Sequence, residues 1–247
     1  MEKKVYSRTN GLIPGAVSGF CPGCMHGTVH KLIGEVAEEL GQLDHLVRVE
    51  GVGCCGLGQF YVSHDETIAA HGRACAVATG IKRSSPDTLI YTYQGDGDLA
   101  AIGLAETLSA ANRGENFTVI FVNNGIYGMT GGQMAPTTLL GMKSTTSPGG
   151  RNAEEHGYPM HMCEMLDTLT APVYLERTSC DTPQHVIATR KAIKKAFQYQ
   201  LEGKGFSMVE IVTSCPTNWG MNAIDALDFL RDKMFTEYPL GVIRDNG

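Results

Sequence analysis

No block of basic residues occurs in this 247-residue chain, which carries a net charge of −6 at neutral pH. A nucleic acid would meet no electrostatic footprint, so that class of partner has no compositional support. No apolar run is long enough to cross a bilayer. The opening segment MEKKVYSRTN lacks the apolar core of a secretory leader. A cytoplasmic protein with no membrane partner is therefore expected. Internal repeats, low-complexity tracts and linker-like stretches are also missing, so the chain reads as one domain. Cysteine, by contrast, is plentiful. Eight cysteines in a cytoplasmic chain point to metal or redox chemistry more than to disulfides.

What is present is an alternation of β-rich runs and helical periods. Residues 1–20 read as an irregular, polar arm. A helical pattern covers 26–40, with Val29, Leu32, Ile33, Val36, Ala37 and Leu40 recurring on one face. A short strand at 46–49 and a small-residue helix at 75–82 follow. Then come a strand at 88–94, a helix at 99–111 and a strand at 117–122. Beyond them the pattern predicts a helix at 160–169, a strand at 171–176 and a long helix at 183–201 with Pro183 at its start. A strand at 206–212 and a helix at 223–234 complete it. This alternation predicts an α/β fold, a mostly parallel sheet with helices on both faces. The runs at 88–94 and 117–122 lack polar alternation, which marks strands buried on two faces. Residues 128–151 are rich in Gly, Thr, Ser and Pro without a period. Loops of this length are usually functional, and the position suggests a substrate or phosphate lid.

The chemistry concentrates where those two central strands end. Gly95-Asp96-Gly97-Asp98 closes the first and Asn123-Asn124-Gly125 the second. In open parallel sheets, ligands bind beyond the carboxyl edge of the strands. A carboxylate, an amide oxygen and a backbone carbonyl are hard donors suited to Mg²⁺, which also takes phosphate oxygens. Gly95 and Gly97 let backbone approach a phosphate, and a helix start favours an anion. The local reading is a Mg²⁺–diphosphate cradle. The competing reading is a dinucleotide site, since Gly95-x-Gly97-x-x-Ala100 fits a relaxed fingerprint. That site wants an acid at the end of the second strand, where this chain has two asparagines. Gly51-Val52-Gly53-Cys54-Cys55-Gly56 is a second glycine fingerprint, but no clear helix follows it in the pattern.

The cysteines leave several readings open. Cys21-Pro22-Gly23-Cys24 fits a thioredoxin-like pair, which should follow a strand. A zinc site wants a second such pair or paired histidines. Four thiolates for an iron–sulfur cluster can come from this pair plus isolated cysteines such as Cys54 and Cys215. His71 and Arg73, in Ala70-His71-Gly72-Arg73-Ala74, are polar groups in a tightly packed setting. Taken alone they read as structural.

A resemblance reduces these alternatives. The GDGD…NN pair, with Asn124 twenty-eight positions after Asp96, resembles the thiamine diphosphate motif. That resemblance assigns Mg²⁺ to Asp96, Asn124 and the carbonyl of Ile126. CPGC, GVGC, AHGRA, GDGD…NN and a late CPTNWG, in this order, resemble the β (thiamine-binding) subunit of the 2-oxoacid:ferredoxin oxidoreductases. The match runs from Cys21 to about Gly241. It implies a thiamine diphosphate-binding, pyrophosphate-domain fold over 1–247, with an N-terminal cluster-binding arm at about 1–52. It implies a [4Fe–4S] cluster on Cys21, Cys24, Cys54 and Cys215, with Cys55, Cys75, Cys163 and Cys180 left as buried apolar residues. His71 and Arg73 become candidate catalytic residues beside the cofactor. Gly95, Asp96, Gly97, Asp98, Asn124, Ile126, Tyr127 and Thr130 become its candidate binding residues.

The implied activity is CoA-dependent oxidative decarboxylation of a 2-oxoacid, with electrons passed to ferredoxin. Either 2-oxoisovalerate or 2-oxoglutarate fits as substrate, and pyruvate fits less well. A partner subunit is expected to supply the pyrimidine domain and the catalytic Glu. Two other readings are a non-oxidative thiamine-dependent decarboxylase or synthase subunit, and a non-catalytic electron-transfer subunit.

Overall fold

The computed structural model describes residues 8–247; the first seven residues of the arm expected at 1–20 lie outside it. Nine strands and nine α-helices are described. In chain order they are α1 (His26–Glu39), β1 (Leu46–Glu50), β2 (Asp65–Ile68), α2 (Ala74–Ser84), β3 (Leu89–Gly95), α3 (Leu104–Asn112), β4 (Thr118–Asn123), β5 (Ile126–Tyr127), β6 (Gln133–Met134), α4 (Ala153–His156), α5 (Met162–Asp167), β7 (Tyr174–Ser179), α6 (Pro183–Leu201), β8 (Ser207–Val212), α7 (Pro216–Trp219), α8 (Ala223–Phe229), α9 (Phe235–Glu237) and β9 (Gly241–Asp245).

Seven strands form one sheet in the order β2-β1-β3-β4-β8-β7-β9. Every pairing is parallel except β7 with β9. Alternate residues of the central strands feed two cores. Leu89, Tyr91 and Tyr93 of β3 and Ile120 and Val122 of β4 pack under α1 and α6. Ile90 of β3 and Val119 and Phe121 of β4 pack under α2, α3 and α5. The centre is thus apolar on both faces, which is why the strand runs show no polar alternation. Each fully buried large apolar side chain contributes about 1.5–3 kcal/mol of transfer free energy.

Two strands depart from the expected pattern. β2 reads Asp-Glu-Thr-Ile and lies at the sheet edge, where polar side chains stay in water. β9 closes the other edge antiparallel, mostly exposed. The helix expected at 99–111 is divided. Gly97–Ile102 forms a wide π-type turn before α3, a local distortion that recurs at functional sites. A 3₁₀ helix, Cys54–Phe60, begins inside the second glycine fingerprint.

The order places the reversal of strand progression between β1 and β3. The carboxyl ends of β1, β3, β4 and β8 are therefore neighbours at one sheet edge. Such a switch point is where this architecture leaves a crevice.

Candidate functional site

Asp96 follows β3 directly and is buried. Its Oδ1 accepts the Gly97 amide at 2.8 Å. Its Oδ2 accepts the Thr137 hydroxyl at 2.9 Å and the Ile126 amide at 3.0 Å. The same Ile126 amide reaches Asn124 Oδ1 at 3.1 Å. One N–H thus gathers the two side-chain oxygens expected to hold a metal. Burial pushes the Asp96 carboxyl up to about 6, against the hydrogen bonds from Thr137, Gly97 and Ile126 that favour its charge. All those donors are neutral, so the pocket lacks a cation beside a buried carboxylate. The donor set fits Mg²⁺.

The paired letters of the motif separate by role. Asn124 faces the crevice, whereas Asn123 donates at 2.8 Å to Glu210 on β8, and Glu210 pairs with Arg177. Asp96 faces the crevice, whereas Asp98 binds three segments together. Asp98 Oδ1 accepts the amides of Val52 at 3.0 Å and Gly72 at 2.8 Å, and Oδ2 accepts the Gln94 amide at 2.6 Å. His71 Nδ1 lies 2.6 Å from the same Oδ1, out of line for a good hydrogen bond. With its oxygens so engaged, Asp98 positions the loop after β1 and the Gly72 backbone, and lies against the His71 ring.

A cavity of about 230 Å³ opens here, lined among others by His71, Gly95, Asp96, Gly97, Asn124, Ile126, Tyr127 and Thr130. Arg73 does not line it; its guanidinium pairs with Glu106 on α3 at 2.8 Å and is half-exposed. The two glycines differ. A methyl on Gly97 would meet the Tyr127 ring at 2.1 Å, whereas one on Gly95 would meet no protein atom within 4 Å. Gly97 is required by the chain's own packing, and the space at Gly95 is free for a ligand.

A second cavity, of about 340 Å³, adjoins the first and is lined by Cys21, Cys24, Cys54 and Cys215. Four segments converge to make it. The Cys21–Cys24 turn is closed by the Cys24 amide on the Cys21 carbonyl at 3.0 Å. Gly23, at φ +81°, has its Cα against Ala223 and Pro216, where a methyl would reach 2.9 and 3.1 Å. Ser214 donates to the Gly23 carbonyl at 2.8 Å, joining the end of β8 to this turn. A methyl on Gly128 would touch Cys54 Sγ at 2.9 Å and approach Cys215 Sγ at 3.8 Å.

Burial pushes the thiols of Cys24 up to about 12 and of Cys54 up to about 11, and raises that of Cys215. Buried thiols become thiolates when a metal supplies the missing positive charge. Among the described residues, no three His, Cys, Asp or Glu side chains converge as one metal ion requires. Cysteines spread around a cavity suit a polynuclear group better than a single zinc. Cys55 does not line this cavity; it is buried in the core under α1. Cys75 and Cys163 are buried also, and Cys180 is half-buried.

His26, Cys54, Asn124, Gly128 and Met129 line both cavities. His26 is buried, with Nδ1 2.8 Å from the Tyr93 hydroxyl, and burial lowers its pKa to about 4. His26, Thr137, Asn218 and Trp219 carried no role in the sequence reading. Thr137 lies in the segment expected to be a lid. Only its start, 128–130, lines the first cavity, and its middle and end are anchored to the protein. Thr137 and Thr138 are buried and bond Asp96 and the Gly125 carbonyl. Arg151 then donates to the carbonyls of Pro136, Thr138, His156, Gly157 and Tyr158. A buried cation that saturates backbone carbonyls makes this loop a wall.

Residues 51–211 match the family described as thiamine pyrophosphate enzyme, C-terminal TPP-binding domain. The ketoisovalerate oxidoreductase subunit VorA of Methanothermobacter thermautotrophicus is 49% identical over 98% of this chain. The chain spans about half the length of that relative, 50% of it. The 2-oxoglutarate synthase subunit KorB of Methanocaldococcus jannaschii is 38% identical over 86% of this chain and 77% of its own. A 2-oxoglutarate:ferredoxin oxidoreductase from Magnetococcus marinus, solved with 2-oxoglutarate, coenzyme A and succinyl-CoA bound, superposes with a TM-score of 0.78. The sequence identity is 26%, covering all of this chain and 87% of that one.

Proposed function

Because this chain belongs to the thiamine diphosphate-binding β subunits of the 2-oxoacid:ferredoxin oxidoreductases, we propose that it carries both the thiamine diphosphate and the [4Fe–4S] cluster of such an enzyme. The reaction proposed is 2-oxoacid + CoA → acyl-CoA + CO₂, with two electrons and a proton released and the electrons leaving singly to ferredoxin. The observation that carries this reading is adjacency. One sheet edge holds an oxygen-donor cradle and a four-thiol cavity, and Cys54 borders both.

Asp96, Asn124 and the Ile126 carbonyl would hold Mg²⁺, and Cys21, Cys24, Cys54 and Cys215 the cluster. When bound, thiamine diphosphate supplies the electron sink for decarboxylation and the cluster a one-electron path outward. The chain's own groups position and desolvate. Gly95 leaves room at the end of β3, Tyr127 packs over Gly97, and Thr137 orients the Asp96 carboxylate. Asp98 lies against His71 at the cavity wall, where the ring is a candidate to bond an anion. Arg73 supports α3 through Glu106, and we assign it no contact with substrate.

We propose a 2-oxoacid with an apolar side chain, of the 2-oxoisovalerate type. The higher identity to the ketoisovalerate relative supports this. So does the lining of the first cavity, which includes Val52 and Met129 and, among the described residues, no Lys or Arg. A second carboxylate, as in 2-oxoglutarate, would find no Lys or Arg among the described residues that line this cavity. The test is the complex, purified without oxygen with its partner subunits and given a panel of 2-oxoacids, CoA and a viologen. The expected result is CoA-dependent dye reduction, fastest with branched-chain acids. Faster turnover of 2-oxoglutarate would overturn the substrate class, and CO₂ release without dye reduction the oxidative reading.

A further inference from the structure

The short helix α7 connects the two cavities. It starts directly after Cys215, and its last two residues each bond the loop that follows β4. Asn218 Nδ2 donates to Cys215 Sγ at 3.3 Å and to the Gly128 carbonyl at 2.9 Å. Trp219 Nε1 donates to the Asn124 carbonyl at 3.1 Å. The indole is held edge-on against Phe229, ring centroids 5.0 Å apart. A methyl on Gly132 would reach Asn218 Oδ1 at 3.2 Å, so the loop also packs against that amide.

These contacts make one mechanical unit of a thiol ligand and a metal loop. Cys215 sits at the amino end of α7; Asn124 and Gly128 bracket Ile126, whose carbonyl completes the Mg²⁺ set. Neither Asn218 nor Trp219 lines the diphosphate cavity. Each reaches it only through a backbone carbonyl.

Resting on the function proposed above, we infer that Asn218 and Trp219 are positioning residues that couple the two sites. A ligated Cys215 fixes α7, and α7 then holds the Asn124–Gly128 loop in its metal-binding form. With Cys215 unligated, that loop has to be ordered at the expense of diphosphate affinity. Such coupling is reciprocal, so bound thiamine diphosphate also favours the loaded cluster. The arrangement discriminates against an enzyme that activates substrate with no exit for its electrons.

The experiment measures Mg²⁺–thiamine diphosphate affinity by calorimetry on the complex with its partner subunits. One sample has its cluster intact, and the other has its iron stripped by a chelator under anaerobic conditions. Wild type should lose on the order of ten-fold in affinity on stripping. Trp219→Phe should keep full iron, bind weakly with the cluster present, and lose little more when it is removed. Asn218→Ala reports the second contact and serves if Trp219→Phe does not fold. It should also shift the midpoint potential of the cluster downward, because a hydrogen bond to a ligand sulfur is lost. A purely structural role would weaken both states equally and leave the potential in place. Equal affinity of loaded and stripped wild type would overturn the coupling while leaving the functional reading intact. Wild type that binds no iron or no thiamine diphosphate would remove the functional reading, and this inference with it.

Discussion

Asp96 and Asp98 carry the same letter two positions apart and perform opposite tasks. Asp96 is buried among neutral donors and needs a cation; Asp98 has its oxygens taken by backbone amides and a glutamine. The motif was legible in the sequence, but this separation was not, because it depends on which strand end faces the crevice. Asp96→Ala should abolish Mg²⁺-dependent thiamine diphosphate binding, a loss of at least roughly a hundred-fold, since the only proposed carboxylate ligand is gone. Calorimetry that finds unchanged affinity would sink the assignment. Cys215→Ser should lose iron, whereas Cys55→Ser should keep it. Iron content and the spectrum of the reduced protein decide, and the reverse outcome would show the wrong thiol was chosen. A third residue, which lines neither cavity, contributes a pH dependence. His64 is buried, with Nε2 2.7 Å from the Tyr91 hydroxyl, and burial lowers its pKa from 6.5 to about 3. The unfolded chain therefore binds a proton that the fold excludes between those values. Stability is full above about pH 6.5 and falls as pH drops toward 3, by at most about 1.4 kcal/mol per unit from this group. Denaturant midpoints across pH 4–7 should be flatter in His64→Phe than in wild type.

Elements made of long apolar runs could be read directly. β3, β4 and β8 lie within a residue or two of their expected bounds, because burial on two faces leaves little room for polar letters; α6, polar on most of its surface, matched its bounds through its helical period and the proline at its start. β2 and β9 were invisible, since edge strands tolerate the polar composition of a loop. The anchoring of segment 128–151 was not legible, because local composition cannot reveal it. Arg151 lies at the far end, and the carbonyls it binds come from both sides of it. Arg151→Ala leaves several buried carbonyls unpaired, at about 1–3 kcal/mol each. A fall in melting temperature of roughly 10 °C is expected. Weaker cofactor binding should accompany it, since Thr137 loses its support. A melting temperature within a degree or two of wild type would show that the wall holds without its clamp. Gly97→Ala tests the neighbouring turn. Its methyl cannot coexist with the Tyr127 ring, so cofactor affinity should drop at least ten-fold by calorimetry. Full affinity would mean that the turn yields.

At the scale of the whole molecule, the described residues hold one cofactor cradle, at the carboxyl edge of the seven-stranded sheet. Thiamine diphosphate needs a carboxylate at its aminopyrimidine ring, and by resemblance a Glu on a second domain facing the diphosphate domain provides it. Among the described residues that line the first cavity, the only carboxylates are Asp96 and Asp98. Asp96 is assigned to the metal and Asp98 is saturated, so neither is free for the ring. The mouth of the crevice is also apolar for a surface. Met129 and Val52, 49% and 41% exposed, line it, and Phe60 is exposed at the end of the 3₁₀ helix that begins with Cys54. Exposed apolar side chains around a cofactor cleft are what a subunit interface covers. The expectation is that this polypeptide alone, reconstituted with cluster, Mg²⁺ and thiamine diphosphate, binds all three and releases no CO₂ from 2-oxoacids. Adding the partner subunit should restore turnover, and replacing the partner's catalytic Glu with Gln should remove it without loss of iron. Release of ¹⁴CO₂ by the isolated chain at the rate of the complex would place the activating carboxylate here and refute the division of the active site.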